Sequence, residues 1–580
     1  MKRAGKRETG NGKRRRSAVL AVLFTISAGV LAGESADREE FKRAFEKTVS
    51  LRSGQKVRIE HANGKIQIRT HREPAVRISA AIRVSSSDRE GAQRFSEQIQ
   101  IDVEESAAGV SIVTRYPEKK WSFVGRGFVS YSVDYDIVMP ETAPLEVRNK
   151  FGNVDVQSLK AAADIKNSNG AIEFRDGRGA QRLENSFGKV DLARNEGNAT
   201  IVNSNGSVSV ADVKGELELS NRFGGVTVTR IGSRSRITNS NGSVELSNAG
   251  GPAQITSSFG SVRVRDVAAD LVVKNNNGSI EATNVNGNAE LDSSFGGIRF
   301  TDVKKRVTCT GNNSKVVGVR AGETVSVRTS FGAVEVTDAA GVDVESSNAK
   351  VVVRGIRGGA MLTTSFGAIE ASAVRGNVTA VNSNAAVTLS DIGGSAEVRT
   401  GFGKVSLTRI KGTAKVLSEN ASVSLNEIDG PASVKTSFGA IDALRVMGDL
   451  TAENSNGAIR ATEIRGAVQA RTSFGSVTID GVRESVDVVN QNGAVQVVSV
   501  PEGCARLTLK TSFAPLRVYL TEGAGYTVSA RTSFGKINSE IPVGVSGSVG
   551  GESLSGKIGD GRCELTLTNS NGNIELLRKK

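Results

Sequence analysis

Phe stands at positions 151, 187, 223, 259, 295, 331, 366, 402, 438 and 474 of this chain, and Asn stands midway at 169, 205, 241, 277, 313, 348, 384, 420, 456 and 492. The Phe residues follow one another at a step of 36 with a single step of 35. The unit is therefore about 18 residues long and comes in two alternating flavours, one carrying "SFG" and one carrying "SNG". Periodicity of this kind constrains the fold more than any other property of a sequence, because each unit is too small to bury a core alone and must stack on its neighbours.

With the Phe or Asn taken as slot zero, apolar residues fall at fixed offsets. Three residues later stands Val or Ile throughout the regular array, as in Val154, Ile172, Val190, Val208 and Val226. Slot plus five is usually apolar (Val156, Phe174, Leu192, Val210), as is slot minus four (Val147, Ile165, Leu183, Ile201). These period-2 runs are short strands with one face buried. Two strands per unit, separated by a Gly-containing turn on each side, predict an all-β fold. Its architecture is a parallel β-helix, or β-solenoid, in which each strand pairs with its copy one turn away, and rungs ~4.8 Å apart would build a rod on the order of 110 Å long.

Slot minus two holds Asn, Ser or Thr in nearly every unit (Asn149, Asn167, Asn185, Asn203, Asn221, Asn239, Ser257, Asn275), in phase with the inward apolar residues. An inward polar ladder can satisfy the turn backbone. Period-2 counting carries the same column on to slot zero. There, Phe in every rung would crowd, whereas Phe alternating with Asn leaves ~9.6 Å per ring. The alternation is thus read as a packing device; the alternative is a regularly spaced outward stripe of rings for binding. The Gly after slot zero suggests positive φ, yet Ala349, Ala385 and Ala421 replace it in three Asn units.

The ends differ from the array. Residues 1–33 read as a secretory signal: the basic "KRAGKRETGNGKRRR", an uncharged apolar run from Ala18 to Ala32, then small residues. That run is shorter than the ~20 residues of a membrane span, so no integral span is expected in the mature chain, although an uncleaved signal would anchor it. Residues 34–50 form a leader. Residues 51–140 hold a first rung, "VRIEHANGKIQI" with Asn63 at zero, followed by a small α+β capping insertion with a helix over "SDREGAQRFSEQI". The regular solenoid covers 141–500, and irregular rungs follow over 501–580.

The "GKIQI" rung, the strand–helix–strand insertion, "YDIVMPETAPLEVRNKFGNVDV" and the ensuing rungs together resemble the bacterial "putative adhesin" family of β-strand-repeat proteins, a domain of unknown function. The resemblance covers nearly all of the mature chain and rests on spacing. It implies a single-stranded parallel β-helix, export to the cell envelope and a surface-contact role, and it brings no catalytic residues.

Composition excludes more than it assigns. Removing the signal takes away eight Lys/Arg and one Glu, so the formal charge of +14 falls to +7 over the remaining residues. Such a mild excess is not a nucleic-acid footprint, and none is expected as partner. Cys309, Cys504 and Cys563 are odd in number and far apart, so no disulfide framework or metal spacing is read, and Cys309 falls on a core slot. Slot plus four carries mixed charges (Asp155, Glu173, Asp191, Arg263, Glu281, Arg299), the pattern of a solvated face and not of paired catalytic acids. His61 falls on the inward polar column, where a satisfied corner residue is expected. No catalytic, cofactor or metal site is therefore assigned.

The stretch "YPEKKWSFVGRGFVSYSVDY" mixes aromatics with basic residues. Lys119, Lys120, Trp121, Arg126 and Tyr131 are candidate contacts to a sugar ring or a surface, against the plainer reading of a hairpin that covers the end of the core. The functional expectation is an exported, non-enzymatic rod in the periplasm, on the cell surface or secreted. It would contact an envelope or extracellular polymer such as a glycan, or a surface partner, by many weak contacts, with self-association also open. The rival readings are a carbohydrate-active β-helix enzyme and a periplasmic scaffold.

Overall fold

A computed structural model describes residues 39–86, 89–117, 129–500, 505–545 and 551–579. The signal segment, Lys119, Lys120, Trp121, Arg126 and Cys504 lie outside the described residues. The chain forms a parallel β-solenoid of about 20 turns with rungs about 18 residues apart. Each turn contributes two strands, for example Ala163–Asn169 and Ile172–Gly177, to two facing sheets. Registry between turns is one to one: Ile165 lies between Val147 and Leu183, and Phe174 between Val156 and Leu192.

The core is a set of columns. Val and Ile at plus three, apolar residues at plus five and minus four, and a further residue at plus eight (Val213, Ile231, Val267) are buried along the rod. A buried side chain of this size contributes roughly 1.5–3 kcal/mol, so a rung gains its stability only when its neighbours cover both of its sheet edges. Volumes are balanced along each column. Phe300 is fully buried between Ala282 and Gly318, a large ring flanked by two small residues.

The ends are closed by strands that run out of rung order. Label β1 Glu39–Ser50, β2 Lys56–Asn63, β3 Ile66–His71 and β4 Ala75–Ser86. They are followed by α1 Arg89–Gln98, β5 Gln100–Ser106, β6 Gly109–Arg115, β7 Ser130–Pro140, β8 Leu145–Phe151 and β9 Val154–Gln157. The expected strands and helix of the insertion are all present. They do more than interrupt the array, because β6 pairs in parallel with β2, and β7 with β3. The outermost rung is therefore β6–β7, and the rung that comes first in the chain, β2–β3, lies between it and β8–β9. Antiparallel β5 covers the β6 edge, antiparallel β4 covers the β7 edge, and β1 pairs with β4. This covering takes the open edge off the parallel rungs and passes it to the antiparallel strands β1 and β5, which interrupts the template that would continue the stack.

The other end uses the same device. Cys563–Asn569, late in the chain, inserts between Leu507–Thr511 and Tyr526–Thr532, pairing in parallel with both. Ser553–Ile558 then covers the outer edge antiparallel.

The inward polar ladder is as read. Asn149, Asn167, Asn185, Asn203, Asn221, Asn239 and Asn275 are buried, and their amides donate to the carbonyls of the turn glycines. Asn185 Nδ2 reaches Gly170 and Gly188 O at 3.0 and 3.1 Å, and Asn149 Nδ2 also reaches Asn167 Oδ1 at 3.1 Å.

Candidate functional surface

The expectation for slot zero is overturned. All twelve slot-zero Phe residues, Phe513 and Phe534 included, are exposed, from 43% at Phe223 to 80% at Phe534. The reason lies in the turn. The minus-two amide already fills the end of the core, and the following Gly packs backbone against backbone on the rung below. A Cβ on Gly152 would stand 2.0 Å from Gly64 O, and one on Gly188 2.2 Å from Gly170 O. No inward room is left, so the slot-zero side chain is turned outward although period-2 counting places it inside.

Slot zero therefore forms one outward line along the rod, with Phe on every second rung and Asn between. Phe187 pairs with Asn169 on one side and Asn205 on the other, which sets successive rings ~9.6 Å apart. The Asn residues staple the turns of the Phe rungs: Asn205 Nδ2 donates to Ser186 O at 3.3 Å, and Asn456 and Asn492 to Ser437 and Ser473 O at 3.2 Å.

The alternation survives the out-of-order ends. Extending the pairing of Val57 with Val110 and Glu60 with Val113 by three residues sets Tyr116 beside Asn63, whose other neighbour is Phe151. The Tyr116 hydroxyl donates to Asn63 O at 3.2 Å. Extending Thr511–Asn569 and Thr532–Asn569 sets Asn571 between Phe513 and Phe534, with the Asn571 amide bonded to Ser512 O and that of Phe534 to Ser570 O. In space the order is Tyr116, Asn63, Phe151 at one end and Phe513, Asn571, Phe534 at the other. Simple duplication of a 36-residue unit would not produce this order.

The turn changes form at the one short step, Phe331 to Asn348. Before it, strands run through slot zero and the Gly N–H donates to the slot-zero carbonyl of the next rung, as Gly152 does to Asn169 O. From Asn348 on, strands end at minus two. The slot-zero N–H now donates to the minus-one carbonyl of the previous rung, and the minus-two oxygen accepts from the residue after slot zero. Ala349, Ala385 and Ala421 all lie on this side, and none has positive φ. That is why a Cβ is tolerated there.

The opposite edge carries a feature that counting apolar residues does not reveal. Slot plus seven is left-handed in rung after rung, at Asp176, Arg194, Asp212, Arg230, Asp302, Arg320, Asp391 and Arg409 among others, with φ between 53° and 60° at its non-glycine residues. Acid and base alternate and pair across rungs: Arg230 Nη2 lies 2.8 Å from Asp212 Oδ2, and Arg320 and Arg409 repeat that distance to Asp302 and Asp391. The guanidinium beside each of Asp176, Asp212, Asp302 and Asp391 holds its carboxyl below the ordinary range. Asp, Asn and Gly, the residues most tolerant of this conformation, recur at the slot, and that recurrence was the available signal. A groove of about 890 Å³ runs along this edge past Asp176, Arg194, Asp212 and Arg230. Its acids are engaged in ion pairs. Exchanging Arg230 for Met is expected to leave the urea unfolding midpoint almost unchanged, because the pair is solvent-exposed.

At the capped end, His61 is buried on the minus-two column, its Nδ1 3.0 Å from Thr114 Oγ1, which in turn lies 2.6 Å from Tyr135 Oη. Burial depresses the imidazole pKa from 6.5 to about 4. The folded state thus holds the neutral ring. Its contribution is complete above pH 6.5 and is lost as pH falls toward 4, at most about 3 kcal/mol. Proteolysis of the N-terminal cap is expected to accelerate over that window, and His61→Asn, the column's own residue type, should flatten the profile.

Of the five candidate contacts, Tyr131 alone is described. Its ring lies 5.1 Å from Phe95 and 5.2 Å from Tyr116, in an aromatic cluster at the capped end, and its carbonyl accepts from Asn63 Nδ2. Cys309 is free and buried, whereas Cys563 is disulfide-bonded. The reading without any disulfide is corrected at that point; strand spacing alone gives no measure of which cysteines approach. Among the described residues no helix is long and apolar enough to cross a membrane, and no group of three or more His, Cys, Asp or Glu could hold a metal ion.

The chain matches no protein-family model and no curated protein. A solved structure described as a putative cell adhesion protein from Clostridium sporogenes ATCC 15579 is similar over 51% of this chain and 99% of that chain, at 12% identity and a TM-score of 0.14. A likeness that slight decides nothing about function, and the assignment of a β-solenoid rests on the strand pairing itself.

Proposed function

We propose that the protein is an exported, non-enzymatic contact rod that binds a repetitive polymer in or on the envelope through its line of slot-zero rings. One observation carries this reading: twelve Phe side chains stand exposed in a single column on every second rung, where a soluble protein ordinarily exposes large apolar residues singly. Each contact is weak, and a polymer that meets many of them in register gains by effective concentration. Export is supported by the basic and apolar order of residues 1–33 and by the disulfide at Cys563, since disulfides persist in oxidising compartments. The absence of enzymatic activity is supported by the outward carboxylates of slot plus four, which are engaged by neighbours: Asp191 with Lys189 at 2.8 Å and Glu281 with Arg263 at 3.2 Å.

Protease shaving of intact producing cells tests the setting, with a periplasmic protein as control. Loss of the rod while the control survives is the expected result. Protection until the envelope is opened would remove the surface-contact reading. Co-sedimentation of residues 34–580 with insoluble envelope material tests the contact itself, and a chain that stays in the supernatant would refute it.

A further inference from the structure

The slot-zero line is not chemically uniform. In the C-terminal half, Phe rungs carry a basic residue three positions before the ring: Arg328, Arg399, Lys435, Arg471, Lys510 and Arg531 precede Phe331, Phe402, Phe438, Phe474, Phe513 and Phe534. All six basic side chains are exposed on the outer face of the same strand. Three residues of strand set each cation roughly 10 Å from its ring, within lateral reach of a long side chain. Arg328 and Lys435 reach Glu345 and Glu453 on the next rung and Arg399 pairs with Glu397 on its own strand at 3.0 Å, whereas Arg471, Lys510 and Arg531 have no ion-pair partner among the described residues. The intervening minus-two threonines tie these turns down: Thr329 and Thr400 donate to the Phe331 and Phe402 carbonyls at 2.8 Å, and Thr511 and Thr532 to the Gly493 and Gly572 carbonyls of neighbouring rungs at 3.1 Å. From Phe331 onward, Phe366 alone lacks the cation, having Thr363 in its place, and Phe295 just before this stretch carries Asp292 instead.

We infer that this C-terminal half is a track for an acidic polysaccharide in extended form, one ring and one cation serving each disaccharide. The inference rests on the polymer-contact reading and names its substrate class. Three features select this ligand. A twofold glycan shows the same ring face once per disaccharide, and in β-1,4-linked chains that repeat is close to the two-rung spacing of ~9.6 Å. Sugar rings offer C–H faces for the Phe rings and hydroxyls for the Asn and Ser that alternate with them. A carboxylate on each repeat meets the exposed cations, of which Arg471, Lys510 and Arg531 have no ion-pair partner among the described residues. A second copy of the rod fits less well, because dry packing of the line would bury the Asn and Ser groups without hydrogen-bond partners. Single-stranded nucleic acid shares the taste for rings and cations, but its stacked bases recur at about 3.4 Å, out of step with the line.

The test uses residues 34–580 and two polymers with the same backbone, polymannuronate and neutral β-1,4-mannan, compared by calorimetry. Polymannuronate is expected to bind at least about tenfold tighter at low salt, the gap closing toward 1 M salt as the Debye length shrinks to ~3 Å. The combined variant Arg471→Gln, Lys510→Gln, Arg531→Gln should weaken polymannuronate about tenfold and leave mannan unchanged, at about a factor of two for each exposed cation. Its thermal unfolding should match that of the parent, separating lost binding from lost folding. Equal affinity for the two glycans, an unaffected triple variant, or binding to neither would overturn the inference. Tighter binding of poly-dT than of polymannuronate would overturn it in favour of nucleic acid. Phe-dependent sedimentation with envelope material would persist in the first two cases, so this inference can fail while the contact reading stands.

Discussion

Serine in place of Phe402, Phe438, Phe474 and Phe513 together is expected to cut retention on envelope material about a hundredfold while leaving the unfolding midpoint within ~2 °C of the parent. The four rings are between 52% and 63% exposed, so truncation opens no cavity. Surface changes of this kind usually fall within about ±0.5 kcal/mol. Binding responds differently. If each ring contributes ~0.7 kcal/mol of stacking, the low part of the range for aromatic contacts, four together give ~2.8 kcal/mol, and each ~1.4 kcal/mol is tenfold. Tyr at the same four positions should retain most of the binding, since it keeps the ring face. Unchanged retention of the serine variant in co-sedimentation would show that the line is not the contact surface. A large fall in the midpoint would show that the rings are structural after all.

Gly318→Val is expected to destabilise the rod by at least about 3 kcal/mol and to admit protease near rungs 295–331. A Cβ at Gly318 would stand 2.0 Å from Phe300 Cζ and 2.5 and 2.7 Å from its Cε atoms, all at the core of a fully buried ring. Overpacking of this severity lies at or beyond the usual 1–3 kcal/mol. Because a solenoid is held together rung by rung, the damage should stay local at first, seen as a new cleavage site before global melting. Phe300→Val alone should also destabilise, by leaving a cavity. The double variant should recover much of the loss, since Val stands next to Val in this same column at Val210 and Val228. A double-mutant cycle with no coupling would mean that the ring and the glycine do not share this space.

The sequence was informative wherever the relevant physics is local. The 18-residue spacing, the buried columns at plus three, plus five and minus four, and the polar ladder from Asn149 to Asn275 all follow from alternation along a strand. The cap strands and α1 could be read for the same reason. Reading ran out at slot zero, where the alternation that places Val147 and Asn149 inside also places Phe151 inside. The counting rule assumes a strand that continues over a core that continues, and here the turn backbone ends the core two residues sooner. The left-handed ladder at Asp212 and Arg230 went unread because an Arg at positive φ announces nothing; its stability comes from the neighbour one rung away.

By itself the sequence determined that the chain is a stack of two-stranded rungs, which residues line its interior, and that every second rung carries a ring in the same slot. Only the tertiary structure decided that the rings face solvent, and that Asn63 and Asn571 take the places between aromatic rungs which chain order denies them. The first set of facts depends on the side-chain period of a strand. The second depends on where one backbone closes against another and on which distant strands pair, energies that no stretch of neighbouring residues contains.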